Sequence, residues 1–377
     1  MAVVLVGARI FDGVEMLDGH AVVLDGERIA AMPSAADIEP DAEVRTIEGL
    51  LAPGFIDVQV NGGGGVLFND ARSVEGIRAI GAAHRRFGTT GFLPTFITDT
   101  REKMAEAVEA VRQGMAEGVP GLLGIHLEGP FLNPERKGVH NASFMRPIED
   151  ADIEIMTSLG AGRTLVTLAP EMVAPEAIER LASVGIIVAA GHTNADCAAL
   201  EEAARRGLTG FTHLFNAMPP LAARAPGPVG AALGMADAWA SLIVDLLHVA
   251  PAALRVALAA KRMDRMMLVT DAMPSVGTEL QSFELQGRTI SLKDGRLTTA
   301  EGTLAGSNFD MASAVRSAVG HLGVALPEAL RMASSVPAAF LRLGGELGRI
   351  APGYRASLAL LDDDLKVRAT WIDGVED

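Results

Sequence analysis

Eight short apolar runs, set between longer segments of helical period, fill the middle of the chain and leave it few folds to choose from. The runs cover 55–60, 92–96, 122–127, 165–168, 186–189, 210–212, 242–244 and 266–270. Between them, segments such as 74–87, 101–117, 196–206 and 251–261 place Ala, Leu, Glu and Arg at helix-compatible spacing. Apolar strands alternating with helices make βα units around a parallel sheet, and eight such units close a barrel. This predicts an α/β fold, a (β/α)8 TIM-like barrel over residues 52–342.

Both chain ends read differently. Runs at 3–6, 21–24 and 44–47 are separated by turns such as Asp12-Gly13 and Asp25-Gly26, which is hairpin spacing. Runs at 357–361 and 367–372 flank the Asp362-Asp363-Asp364 turn. Residues 1–51 and 343–377 are therefore expected to build one small β-sandwich domain. A further hairpin is expected around Lys293-Asp294-Gly295-Arg296, after the eighth strand.

A formal net charge of −15 argues against nucleic acid as the partner, so any anionic ligand needs a local cluster of cations. The longest stretch free of Asp, Glu, Lys and Arg, 207–223, contains His213 and Pro219-Pro220, and nothing reads as a membrane span. The opening MAVVLVGARIF lacks a basic lead, and Cys197 is the single cysteine, so a cytoplasmic protein without disulfides is expected. Gly62 to Gly65 lacks both the GxGxxG order and a following GK[ST]; it reads as a flexible loop, and no nucleotide cofactor is supported.

In a barrel of this kind the reactive groups lie at the C-terminal ends of the strands. Those ends read Gln59-Val60-Asn61, His126-Leu127-Glu128, Gly191-His192, His213, Asp245 and Asp271. Glu128, His192 and His213 offer two imidazoles and a carboxylate, a set that can hold a catalytic divalent ion and leave one position open. The plainer alternative has each histidine bonding a backbone carbonyl at its strand end. Asp271, behind an apolar run, suits a general base, although aspartate there also suits a helix N-cap. His140 and His248 fall on the same predicted face and are candidate substrate contacts.

Six blocks then carry a resemblance: LAPGFIDVQVNG, HLEGPFLNPERKGVHN, GHTNAD, THLFNAMPPLAARAPGPVGAAL, LVTDAMPSVG and GTLAGSNFDM, in this order. The chain resembles the N-acetylglucosamine-6-phosphate deacetylase family of the amidohydrolase superfamily. The resemblance implies hydrolysis of the N-acetyl group of N-acetyl-D-glucosamine 6-phosphate to glucosamine 6-phosphate and acetate. It implies Glu128, His192 and His213 as metal ligands, Asp271 as acid/base, and His140 in contact with the substrate, where its ring is expected to donate to the oxyanion. Val139, Asn216, Ala217, Arg224, His248, Leu304, Ala305 and Gly306 would complete the sugar-phosphate site. Arg224 also answers the need for a local cation, since a guanidinium grips phosphate with two parallel hydrogen bonds. Family members are commonly homodimers.

Binuclear members carry His-x-His at the end of the first strand, where this chain has Gln59 and Asn61, so one divalent ion per subunit is expected. Zinc suits the ligand set first, with iron, cobalt or manganese as alternatives. Relatives read Asp-Gly where this chain reads Asp245-Leu246, a place where the sugar contact can differ. The rival readings are a deacetylase of N-acetylgalactosamine 6-phosphate or another N-acyl amino-sugar phosphate, and a phosphosugar-binding barrel without catalysis.

Overall fold

A computed structural model describes residues 2–38 and 43–377. Its centre is an eight-stranded parallel sheet whose strands neighbour one another in chain order. They are Phe55–Val60, Thr89–Ile97, Gly124–Glu128, Arg163–Leu168, Ile187–Ala190, Leu208–Phe211, Trp239–Leu242 and Met266–Leu268. The ring nearly closes: Val60 and Ala272 form a parallel bridge, and Asp271 N donates to Gln59 O at 3.0 Å. Amphipathic helices, among them Val74–Arg85 and Arg101–Ala116, cover the outside, with Ser73 and Thr100 capping their first turns.

Two apolar layers hold this arrangement. Ile56, Val58, Leu93, Leu123, Leu165, Ile187, Ile243, Met267 and Val269 fill the barrel interior together with Phe340, which plugs its lower end. A Cβ at Gly210 would stand 2.9 Å from the Phe340 ring, so only glycine admits that plug. Between barrel and helices, Phe55, Phe92, Phe96, Ile125, Val166, Val188 and Leu254 belong to a second, larger cluster.

The chain ends build further sheets. A four-stranded sheet pairs Val3–Val6 with Val22–Asp25 and Glu43–Thr46. A six-stranded sheet joins both ends, with Leu50–Pro53 lying against Leu358–Leu361, which in turn pairs with Val367–Ile372. After the eighth barrel strand comes an inserted sheet, Ser282–Leu285, Arg288–Lys293, Arg296–Thr298 and Leu304–Ser307, in which Lys293 faces Arg296 at the expected hairpin. It joins the barrel through the bridge between Ala272 and Ser307.

One expectation is corrected. Gly62 to Gly65 is a tight β-hairpin: Gly62–Gly63 pairs with Val66–Leu67, and Gly64 and Gly65 take positive φ at its turn. Buried His84 clamps it, with Nε2 2.9 Å from Gly62 O. A Cβ at Gly63 would stand 2.8 Å from that nitrogen, so the glycines make room for the ring and turn the chain.

Candidate metal centre and active site

The first strand carries one more residue than its neighbour: Phe92 faces Asp57 while Pro94 faces Val60. This bulge breaks the alternation and turns Gln59 inward. The next polar ends follow from ordinary alternation, His126 and Glu128 sharing one face of their strand. His192, His213 and Asp271 each lie one or more residues beyond a strand, at φ values of 49°, 35° and 53°. Three non-glycine residues in left-handed backbone at one end of a barrel mark a place where geometry is held against local preference.

Glu128, His192 and His213 converge. His213 Nε2 lies 2.9 Å from Glu128 Oε1 and 3.1 Å from His192 Nε2, and His192 Nε2 lies 3.2 Å from Glu128 Oε1. His192 Nδ1 donates to the Arg136 carbonyl at 2.8 Å, so its Nε2 presents a lone pair to the other two. A single proton on His213 satisfies only part of such a set, whereas a cation satisfies all of it. Metal bonds of about 2.0–2.2 Å in tetrahedral geometry place ligand atoms roughly 3.3–3.5 Å apart, a little wider than the spacing seen here. The residues therefore fit a divalent ion. A ring nitrogen of His140 also comes within 4.8 Å of ligand atoms of Glu128 and His192. The His140 Nδ1 is engaged by Thr98, however, and the tighter triad is the one with His213.

Burial works against charge throughout the site. It would raise Glu128, but bonds from the two imidazoles hold that carboxylate well below its usual range. Burial pushes His140 down to about 3, so this ring is neutral. Burial and the Glu128 charge push Asp271 up to about 6, although Asn61 Nδ2 donates to its Oδ1 at 2.6 Å and Gln59 Nε2 at 3.2 Å. Gln59 Nε2 also reaches both Glu128 oxygens at 3.3 Å. The pair in place of His-x-His thus ties the general-base candidate to the ligand set through neutral amide donors.

Asp57, fully buried beneath this layer, is pushed up to about 7 by burial despite its bond from Thr270. An unfolded aspartate titrates near 3.9. Between about pH 4 and pH 7 the folded chain keeps the proton that the unfolded chain releases, so stability falls progressively across that window and the contribution is fully lost once pH has risen through 7. Asp57→Asn is expected to stabilise the fold by about 2–3 kcal/mol more at pH 8.5 than at pH 5, read from denaturant unfolding at both pH values. Equal effects at the two pH values would contradict the assignment.

A cavity of about 450 Å³ opens over the triad and Asp271. Val139, His140, Asn216, Ala217, His248, Leu304 and Gly306, all expected at the sugar-phosphate site, line it. Asp245 orients His248: its Oδ2 lies 2.7 Å from His248 Nδ1, and its Oδ1 accepts from Leu247 N and His248 N. Leu246 takes φ 65°, keeping the left-handed backbone that a glycine favours. Ala305 is buried in an apolar cluster with Leu285 and Met273 instead of facing the cavity. Arg224 is not brought in: it stands on the exposed segment 221–225 and makes no hydrogen bond or ion pair among the described residues. The segment follows Pro219-Pro220 and is exposed at all five positions, so among the described residues nothing holds the Arg224 guanidinium toward the cavity.

Sequence reasoning missed four contributors. Gln59 and Asn61 entered only as poor ligands, and their donor role depends on the bulge. Arg136 lines the cavity, spends its carbonyl on His192, and donates from Nε to Asn194 Oδ1. Thr98 lies just past the second strand, an end not read for chemistry, although FITD carries two polar residues there.

Comparisons with known proteins agree with this arrangement. The amidohydrolase family profile matches residues 50–376, and the NagA composite domain matches residues 4–51. An N-acetylgalactosamine-6-phosphate deacetylase of Shewanella sp. (strain ANA-3) is 40% identical over 98% of this chain and 94% of its own. An N-acetylglucosamine-6-phosphate deacetylase of Haemophilus influenzae is 35% identical over 99% of each chain. The solved N-acetylglucosamine-6-phosphate deacetylase of Pasteurella multocida superposes with a TM-score of 0.96 at 35% identity, covering 100% of both chains. With its nearly closed barrel, terminal sheets and Glu-His-His site, the chain belongs to the amidohydrolase family.

Proposed function

We propose that the chain is a metal-dependent deacetylase that hydrolyses N-acetyl-D-glucosamine 6-phosphate to glucosamine 6-phosphate and acetate. The observation that carries this reading is the convergence of Glu128, His192 and His213, within 3.2 Å of one another, on the cavity that Asp271 also lines. When bound there, a divalent ion polarises an amide carbonyl and activates water. Zinc is the ion we assign first, with iron, cobalt and manganese as alternatives on the same ligand chemistry.

The chain's own residues supply the proton traffic. Asp271, ionised and steadied by Asn61 and Gln59, accepts a proton from the attacking water as the new C–O bond forms. His140 donates to the carbonyl oxygen as negative charge develops on it. Asp271 then returns the proton to nitrogen, the C–N bond breaks, and the amine leaves with acetate as the second product. Asn216, Ala217, His248, Leu304 and Gly306 would hold the sugar and its phosphate against this wall.

Three further parts belong to the same proposal. Residues 1–51 and 343–377 form the small β domain and 52–342 the catalytic barrel, a division supported by the sheet that joins the two ends. The protein acts as a homodimer, a reading that rests on the family resemblance, with part of the sugar-phosphate pocket shaped by the neighbouring subunit; Arg224, exposed on 221–225, is available to such a neighbour. Cytoplasmic residence rests on the single cysteine. No helix among the described residues is long and apolar enough to cross a membrane.

The galacto epimer is the second reading, because the Shewanella relative carries that name at 40% identity. Acetate release measured in parallel on the two hexosamine 6-phosphates tests both. The expected result is a higher kcat/KM for the gluco substrate. A tenfold preference for the galacto epimer transfers the assignment to it, and no acetate from either substrate overturns the hydrolytic reading.

A further inference from the structure

The loops after the second and third barrel strands meet the inserted sheet at His140. His140 is buried, and its Nδ1 lies 2.8 Å from the Oγ1 of Thr98, which is also buried. The same hydroxyl stands 3.3 Å from the Glu128 carbonyl. A threonine hydroxyl gives one proton and accepts others, so it either donates to Nδ1, or donates to the Glu128 carbonyl and accepts from Nδ1–H. The donor role proposed for His140 requires the first. Donation to Nδ1 puts the proton of a neutral imidazole on Nε2, the ring nitrogen left to the cavity. Donation to the Glu128 carbonyl instead would reverse the tautomer. His140 would then offer the cavity a lone pair and act as a further metal ligand instead of a donor to substrate.

The inserted hairpin holds both partners from outside. Its two-residue turn, Gln286 and Gly287, has φ of 50° and 77°. There Gln286 Nε2 donates to Thr98 O at 2.8 Å and lies 3.3 Å from Asp99 Oδ2. Arg288, the first residue of the returning strand, donates to the Val139 carbonyl, next to His140. Leu285 and Ile290 of the hairpin share an apolar cluster with Ile97 and Val139, the residues preceding Thr98 and His140.

We infer that Thr98 is a positioning residue: its hydroxyl fixes His140 as the Nε2–H tautomer, and Gln286 and Arg288 fix the distance between the two side chains. This rests on the proposed hydrolysis and deepens it by naming what makes His140 a donor.

The test is a double-mutant cycle read by steady-state kinetics. Thr98→Val is expected to lower kcat about 10-fold with KM changed less than about 3-fold, and Thr98→Ser to restore most of it. In a His140→Asn background Thr98→Val should cost less than about 2-fold more, because it acts through the imidazole. Additive losses, or an unchanged kcat in Thr98→Val alone, overturn the inference. Gln286→Ala provides the same cycle if Thr98→Val does not fold, with an expected loss of about 3- to 10-fold that also disappears without His140.

Ring ¹⁵N chemical shifts of the metal-free protein give a readout independent of turnover. The wild type should show His140 protonated on Nε2 and Thr98→Val should lose that preference, whereas an Nδ1–H ring in the wild type sinks the idea. A wild type that releases no acetate while keeping the Nε2–H ring would overturn the proposed reaction and leave the tautomer assignment standing.

Discussion

Asp271→Asn is expected to lower kcat by about three orders of magnitude while metal content stays at the wild-type level. The substitution keeps the shape of the side chain and removes its capacity to take a proton. It also leaves Glu128, His192 and His213 untouched, since Asp271 is bonded to Asn61 and Gln59 and to none of the three. Burial and the neighbouring carboxylate push Asp271 up to about 6, so the wild-type rate should rise with pH as this group ionises and level off above it. A cation bound beside it favours the ionised form and moves this limb lower. Activity within tenfold of wild type removes Asp271 from the proposed mechanism, and loss of metal in the variant makes it a ligand instead.

A second large effect is expected from Glu128→Gln. The carboxylate lies between two imidazoles at 2.9 and 3.2 Å, and replacing it takes the only formal negative charge from the ligand triad. Metal content should fall from about one ion per chain to under a tenth, and turnover should fall by more than about 10³-fold. Ligation also links to stability: an ion that binds only the folded chain raises Tm with its concentration. Titrated metal should therefore shift the melting of the stripped wild type and leave that of Glu128→Gln in place. Metal retained by the variant at full stoichiometry would assign the ion to other residues.

The barrel and its reactive rim were legible because each depends on local pattern. Apolar runs such as 55–60 and 266–270 mark strands by themselves, and a barrel requires their polar ends to share one face. His192, His213 and Asp271 could be picked out without coordinates for that reason. What the sequence hid depends on contacts between distant residues or on small changes of register. The bulge opposite Phe92 and Pro94 turns Gln59 inward, and no period-two reading contains it. Gln286 finds Thr98 across 188 positions, and Arg288 finds Val139 across 149. The run of glycines at 62–65 reads as slack until His84 is seen filling the space that side chains would take. Arg224 shows the opposite limit, since its motif marks it for the site while its own chain leaves it facing outward.

Anomalous diffraction from crystals of the metal-loaded protein, collected at the absorption edge of the bound ion, tests the centre of this account most directly. One peak is predicted, bounded by Glu128 Oε1, His192 Nε2 and His213 Nε2, with none at the Gln59 and Asn61 amides. A peak away from those three atoms, or a second strong peak beside Asn61, would contradict it.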